Sequence, residues 1–129
     1  MIPKFRVWDT VKESMSEVQA IVYVEEKIYP IYSKVIRRYI PFNEAILMQY
    51  TGLKDKNGKE IFEGDILKCT SFDGSFWYET VSWDSTLAGF ATQQNGYDAT
   101  AISYITDSKA ITVEIIGDIY QNPELLEEK

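Results

Sequence analysis

Glu63 and Asp65, two carboxylates flanking Gly64, are the residues of this chain best spaced for acid–base or metal-assisted chemistry. Paired carboxylates divide the roles of proton donor and acceptor when their surroundings set their acidities apart. Asp118 is a further candidate for a carboxylate-dependent enzyme with a divalent metal. The same Glu63-Gly64-Asp65 triplet also reads as a turn feeding a strand from Ile66, with glycine supplying backbone freedom and Asp65 bonding nearby amides. The turn accounts for the residues without further assumptions and is the preferred explanation. Asp55, Asn57 and Asp65 offer hard oxygen ligands but lack the spacing of a calcium-binding loop. Thr51-Gly52-Leu53 and Asp55-Lys56-Asn57-Gly58-Lys59 lack the glycine spacing and the following helix of a phosphate cradle.

Composition removes most of the remaining chemistry. The chain has no histidine, which excludes Ser-His-Asp and Cys-His catalysis, imidazole acid–base work and every histidine-containing metal site. Its single cysteine, Cys69, excludes internal disulfides and thiolate clusters and reads as a small buried hydrophobe. No catalytic, cofactor or metal residues are therefore assigned. With 20 acidic against 13 basic residues the net charge is −7, which disfavours nucleic acid as a partner. The basic cluster Lys34, Arg37 and Arg38, interleaved with Tyr32 and Tyr39, is the place where a phosphate backbone with stacked bases would bind. It equally fits a solvated edge whose charges discourage sheet-to-sheet association. Among Trp8, Trp77, Tyr78 and Trp83, Trp77 is the preferred interface anchor, because the expected strand pairing sets it beside Lys68 and Glu79.

These residues must be held by a mainly β scaffold. The 129 residues suit one domain, and 14% aromatic content leans towards strands. The amino-terminal Met1–Arg6 segment lacks an apolar signal core, and no run approaches the ~18 apolar residues of a membrane span. A cytoplasmic protein is expected, with no membrane association. Lys4–Trp8 alternates as a short strand. Thr10 to Glu17 reads as a turn or short helical segment, and Val18–Val24 as a strand interrupted at Glu25-Glu26-Lys27 before Ile28-Tyr29. Ser33–Ile40 fits helix or strand equally, and the choice stays open across Val11–Ile40. Asn57-Gly58, Asp73-Gly74 and Asn95-Gly96 mark hairpin turns. A two-residue Asp73-Gly74 loop pairs Phe72 with Ser75, Thr70 with Trp77, Lys68 with Glu79 and Ile66 with Val81. It sets Cys69 opposite Tyr78 and turns Leu67, Cys69, Phe76 and Tyr78 towards the core. Tyr97–Ala110 reads as irregular. Ile111–Tyr120 is a strand bent at Gly117-Asp118, and Asn122-Pro123-Glu124 caps a final helical turn. In all, about six to nine strands and one or two short helices favour a small, partly open barrel.

Three blocks resemble the YopX family. The central one is Gln49-Tyr50-Thr51-Gly52-Leu53-Lys54-Asp55-Lys56-Asn57-Gly58-Lys59-Glu60-Ile61-Phe62-Glu63-Gly64-Asp65-Ile66. Glu114-Ile115-Ile116-Gly117-Asp118-Ile119-Tyr120-Gln121-Asn122-Pro123-Glu124-Leu125-Leu126 is similar to the family's closing segment, with Asp118 where Asn is more usual, and Phe5-Arg6-Val7-Trp8-Asp9 to its opening. The resemblance, in residues 4–9, 49–66 and 114–126, implies a single domain over 1–129. It further implies a phage or prophage protein and an SH3-like portion within the barrel. It implies no activity and transfers no site residues.

The expectation is a non-enzymatic phage accessory protein that needs no cofactor. It binds a protein of the host or phage, or assembles with itself as a homo-oligomer, and Trp77, Lys34, Arg37, Arg38 and Tyr39 are the candidate interface. Nucleic-acid binding through the Lys34–Tyr39 patch is the first alternative, carboxylate-dependent catalysis the second.

Overall fold

The computed structural model describes residues 2–31 and 37–127. The chain divides into two compact units, Met1–Tyr50 and Thr51–Lys129. Strand dominates both, and among the described residues there are eleven strands and one short α-helix.

The first unit holds β1 (Phe5–Asp9), β2 (Ser14–Val22), β3 (Lys27–Pro30), β4 (Ile40–Pro41) and most of β5 (Ala45–Lys54), antiparallel in the order β4-β3-β2-β1-β5. Alternation in β1 decides its faces: Val7, fully buried, lies opposite Ser16 on β2 and Leu47 on β5. Val7, Ile28 and Ile40 form the core, covered by Val18, Ile21, Phe42, Ala45 and Leu47. Residues 10–13 are a turn rather than a helical segment, because the Asp9 carboxylate accepts the Val11 and Lys12 amides and closes the chain back into β2. Glu25 and Glu26 form the β2–β3 turn. Of the stretch Ser33–Ile40, residues 33–36 lie outside the described residues, and Ile40 enters the short strand β4.

The second unit begins with the end of β5 beside β6 (Glu60–Phe62) and continues through β7 (Asp65–Ser71), β8 (Phe76–Asp84), β9 (Gly89–Gln93), β10 (Thr100–Ala101), α1 (Ser103–Thr106) and β11 (Ile111–Asp118). Its sheet is antiparallel in the order β10-β9-β8-β7-β11. Ile61, Leu67, Cys69, Val81, Ile102, Ile105 and Val113 make its core, with Leu53, Trp77, Phe90, Ile111 and Ile115 packed on it. Both strand orders are open-ended, so neither sheet closes into a barrel by these pairings. α1 lies within the segment expected to be irregular.

The β7–β8 register differs from the expected one by a residue. Cys69 pairs with Trp77, Lys68 with Tyr78, Leu67 with Glu79 and Ile66 with Thr80. The loop is three residues long, Phe72-Asp73-Gly74. Ser71 bonds to Ser75 across it, and Gly74 sits at φ +90°, a conformation that closes such loops and strains any side chain. Asp73 fixes the turn by accepting the Ser75 amide and hydroxyl. A one-residue slip exchanges the faces of one strand relative to the other. Trp77 and Glu79 therefore join Leu67 and Cys69 on the core side, and Phe76 and Tyr78 share the outer face with Lys68.

β11 bends as expected, with its register shifting between Ile115 and Gly117. The last turn, Pro123–Leu126, is 3-10 and starts at the expected proline. Asn122 does not cap it: its side chain turns back and accepts the Asp118 amide at 3.1 Å.

Candidate functional site

The Asp65, Asp118 and Asp55 carboxylates are engaged in holding turns. Asp65 is buried and accepts the Phe62 amide at 2.7 Å. The Gly64 amide donates to Val81, and its carbonyl accepts from Ile119. Glu63-Gly64-Asp65 is thus the β6–β7 turn, tied to β8 and to the residue after β11. Asp118 lies opposite Asp65 and accepts the Tyr120 and Gln121 amides and the Gln121 side chain. Asp55 accepts three main-chain amides, from Asn57, Lys59 and Ile115. Burial alone would raise its pKa, but these amides and the Lys59 charge outweigh burial and hold it below the ordinary carboxylate value. Among the described residues no three acidic or thiol side chains converge as a metal site.

Of the basic cluster, Lys34 lies outside the described residues. Arg37 is committed to two carboxylates: Nε and Nη2 donate to Asp9 at 3.0 and 2.7 Å, and Nη1 donates to Glu44 at 2.6 Å. Burial of Asp9 opposes ionisation, but the Arg37 guanidinium and the Val11 and Lys12 amides bring its pKa below the usual value. The same pairing drives the Arg37 pKa further up. Arg38 is exposed, and Tyr39 lies under the Lys27 ammonium at 4.2 Å.

Trp77 is half-buried, and its indole N–H donates to Glu79 Oε2 at 2.7 Å. Glu79, buried beneath it, also faces the Cys69 thiol at 3.9 Å. Burial and the Glu79 charge push the Cys69 thiol up to about 12, so it stays protonated and unreactive at neutral pH. The indole is thereby fixed along one wall of a groove of about 770 Å³. Phe76, Trp77 and Tyr78 line one side, Gln94 and Asn95 follow β9, and Glu124, Leu125, Leu126 and Glu127 complete it. The Phe76 and Tyr78 rings lie 5.9 Å apart, and Lys68 covers Phe76. Sequence reasoning chose Trp77 on a pairing that does not occur. It missed Glu124 and Glu127 because only the fold brings the last turn beside β8.

Among the described residues no helix is long and apolar enough to cross a membrane. The model of the YopX protein family matches residues 4–127. A Bacillus subtilis (strain 168) relative, the SPbeta prophage-derived uncharacterized protein YopX, is 38% identical over 73 residues, or 54% of this chain; the match spans about half of that protein, 52%. Protein EF1440 from Enterococcus faecalis has a crystal structure that superposes with a TM-score of 0.68 at 32% identity, over 98% of this chain and 99% of that one. The crystal structure of YopX from Bacillus subtilis gives 0.64 at 30% identity, over 96% and 98%. The three sequence blocks, the two antiparallel sheets and these likenesses lead to one conclusion: the chain belongs to the YopX family.

Proposed function

We propose that this is a non-enzymatic phage or prophage accessory protein whose work is to bind other macromolecules, through the groove beside β8. The groove carries the proposal: it is lined by three consecutive aromatic residues of β8, Trp77 from the core face and Phe76 and Tyr78 from the outer face, together with Leu125 and Leu126. Aromatic anchors held in a fixed orientation are the commonest source of binding energy at interfaces. The buried carboxylates support the non-enzymatic part, since Asp9, Asp55, Asp65, Glu79 and Asp118 each bond to a main-chain or side-chain donor of the scaffold. The prophage origin of the Bacillus subtilis relative supports the setting. Within this proposal the five-stranded sheet of the second unit is the SH3-like, partly open barrel portion. The partner is a host or phage protein or a second copy of the chain, in the cytoplasm.

The test is photocrosslinking in host extract from an unnatural side chain at Phe76, with the same probe at exposed Val24 as the control. A stoichiometric adduct from Phe76 alone is expected, to another protein or to the chain itself. Adducts from neither position, with a monomer in sedimentation, would overturn the proposal.

A further inference from the structure

We infer that the groove takes an extended, basic polypeptide segment, which adds as a strand to the open edge of β8 at Phe76–Tyr78. The inference rests on the binding function proposed above and names its ligand class. β8 pairs with β7 along Phe76–Thr80 but with β9 only from Thr80 to Asp84. On the β9 side, therefore, the first four residues of β8 have no strand partner among the described residues. Which main-chain groups face that side follows from the hairpin. The Ser71 amide donates to the Ser75 carbonyl at 2.8 Å, so Ser71/Ser75 is a hydrogen-bonded pair. Antiparallel alternation then turns the N–H and C=O of Trp77 and Glu79 towards β7, and those of Phe76 and Tyr78 away from it. Phe76 and Tyr78 both line the groove on this side of β8.

A strand edge with no neighbouring strand among the described residues, beside shaped side-chain walls, is the arrangement that captures a peptide by strand addition. The walls specify its character. Glu124 and Glu127, both exposed, stand in the wall formed by the last turn, and the Trp77 indole, pinned by Glu79, stands in the wall formed by β8. A lysine or arginine side chain satisfies both, pairing with carboxylate and lying against an aromatic face. The net charge of −7 repels an acidic segment and draws a basic one. Leu125 and Leu126 offer apolar contact to the neighbouring side chains.

The test selects random peptides of about nine residues, displayed in a library, on the full chain, then measures the winners against the Glu124→Lys/Glu127→Lys double variant. Both substituted residues are exposed, so the fold is retained. The expected winners carry Lys or Arg among β-branched or aromatic residues, and bind the double variant at least about tenfold more weakly. N-methylation of alternate peptide amides weakens binding by a similar factor, and amide exchange at Phe76 and Tyr78 slows in the complex. Winners without basic residues, winners indifferent to N-methylation, or unchanged exchange at Phe76 and Tyr78 would overturn strand addition. So would a dimer of this chain that protects the same two amides, since it would put a second copy on the edge. A crosslinked protein from Phe76 without any enriched peptide defeats this inference and leaves the binding function standing; the absence of both removes the two together.

Discussion

Asp55 shows how much one carboxylate can organise. Oδ1 accepts the Asn57 and Lys59 amides and Oδ2 the Ile115 amide, each at 2.9 Å, so a single side chain closes the β5–β6 hairpin and fastens it to β11. Its pKa, like that of Asp9, lies below the ordinary 3.8. The direction sets the pH dependence. Above 3.8 both folded and unfolded carboxyls are ionised, and the stabilisation is fully present. Below it the unfolded chain takes up protons first, and stability is lost as pH falls through the lowered folded values. Thermal melts between neutral and strongly acidic pH should show this loss. Asp55→Asn turns a donor towards amide donors and is expected to cost about 2–3 kcal/mol at pH 7, with a shallower acid loss in the variant. A variant melt that tracks wild type at every pH would refute this account. Cys69 yields a second prediction. Fully buried, with its pKa pushed to about 12 by burial and Glu79, it should resist alkylation in the folded protein at pH 8 and react promptly in denaturant. Equal rates in the two conditions would contradict the burial.

At the scale of elements, the bend in β11 is built from two residues that fit only each other. A Cβ on Gly117 would lie 2.5 Å from Asn122 Oδ1, the atom that accepts the Asp118 amide. Gly117→Ala must displace that side chain and lose its bond, at an expected cost of about 1–2 kcal/mol. In an Asn122→Ala background the same substitution should cost markedly less, which a double-mutant cycle by urea denaturation will read. Strict additivity would show that the contact does not matter. The bend itself was legible, because glycine followed by Asp interrupts an otherwise β-branched run; the partner was not, because Asn122 also has the chemistry of a helix cap. The same ambiguity misled the β7–β8 register. Asp-Gly suits a two-residue loop and equally the end of a three-residue one, and pattern could not arbitrate, since Phe76, Trp77 and Tyr78 load both faces of β8 with aromatics. A glutamate facing the core also contradicts simple alternation. Glu79 is tolerated there because the Trp77 indole and the Cys69 thiol donate to it, neighbours that only the true register supplies. Strand positions in β1 and β11 and the turn at Gly64 were readable from local chemistry. The groove was not, because its walls come from residues 76–78, 94–95 and 124–127, which no local pattern links.

For the whole molecule, charge decides between partners. The chain carries −7, and among the residues that once suggested a phosphate-binding patch Arg37 is already neutralised by Asp9 and Glu44. A guanidinium held by two carboxylates releases no counterions from a nucleic-acid backbone unless those bonds break first, so its contribution to phosphate binding is forfeited. Arg38 is exposed but stands in an acidic field. The two arginines should therefore separate by readout. Arg37→Ala leaves buried Asp9 without its counter-charge and is expected to lower stability by about 2–4 kcal/mol, whereas Arg38→Ala should fall within about 0.5 kcal/mol of wild type. Neither the parent chain nor the variants should shift a single-stranded or duplex oligonucleotide at ~50 mM salt, where electrostatic binding is strongest. A shift that weakens steeply with salt and disappears in Arg38→Ala would restore nucleic acid as the partner. Its absence, with Arg37→Ala destabilised, leaves Arg37 as a structural clasp and the acidic groove of the second unit as the surface on which a basic partner is to be sought.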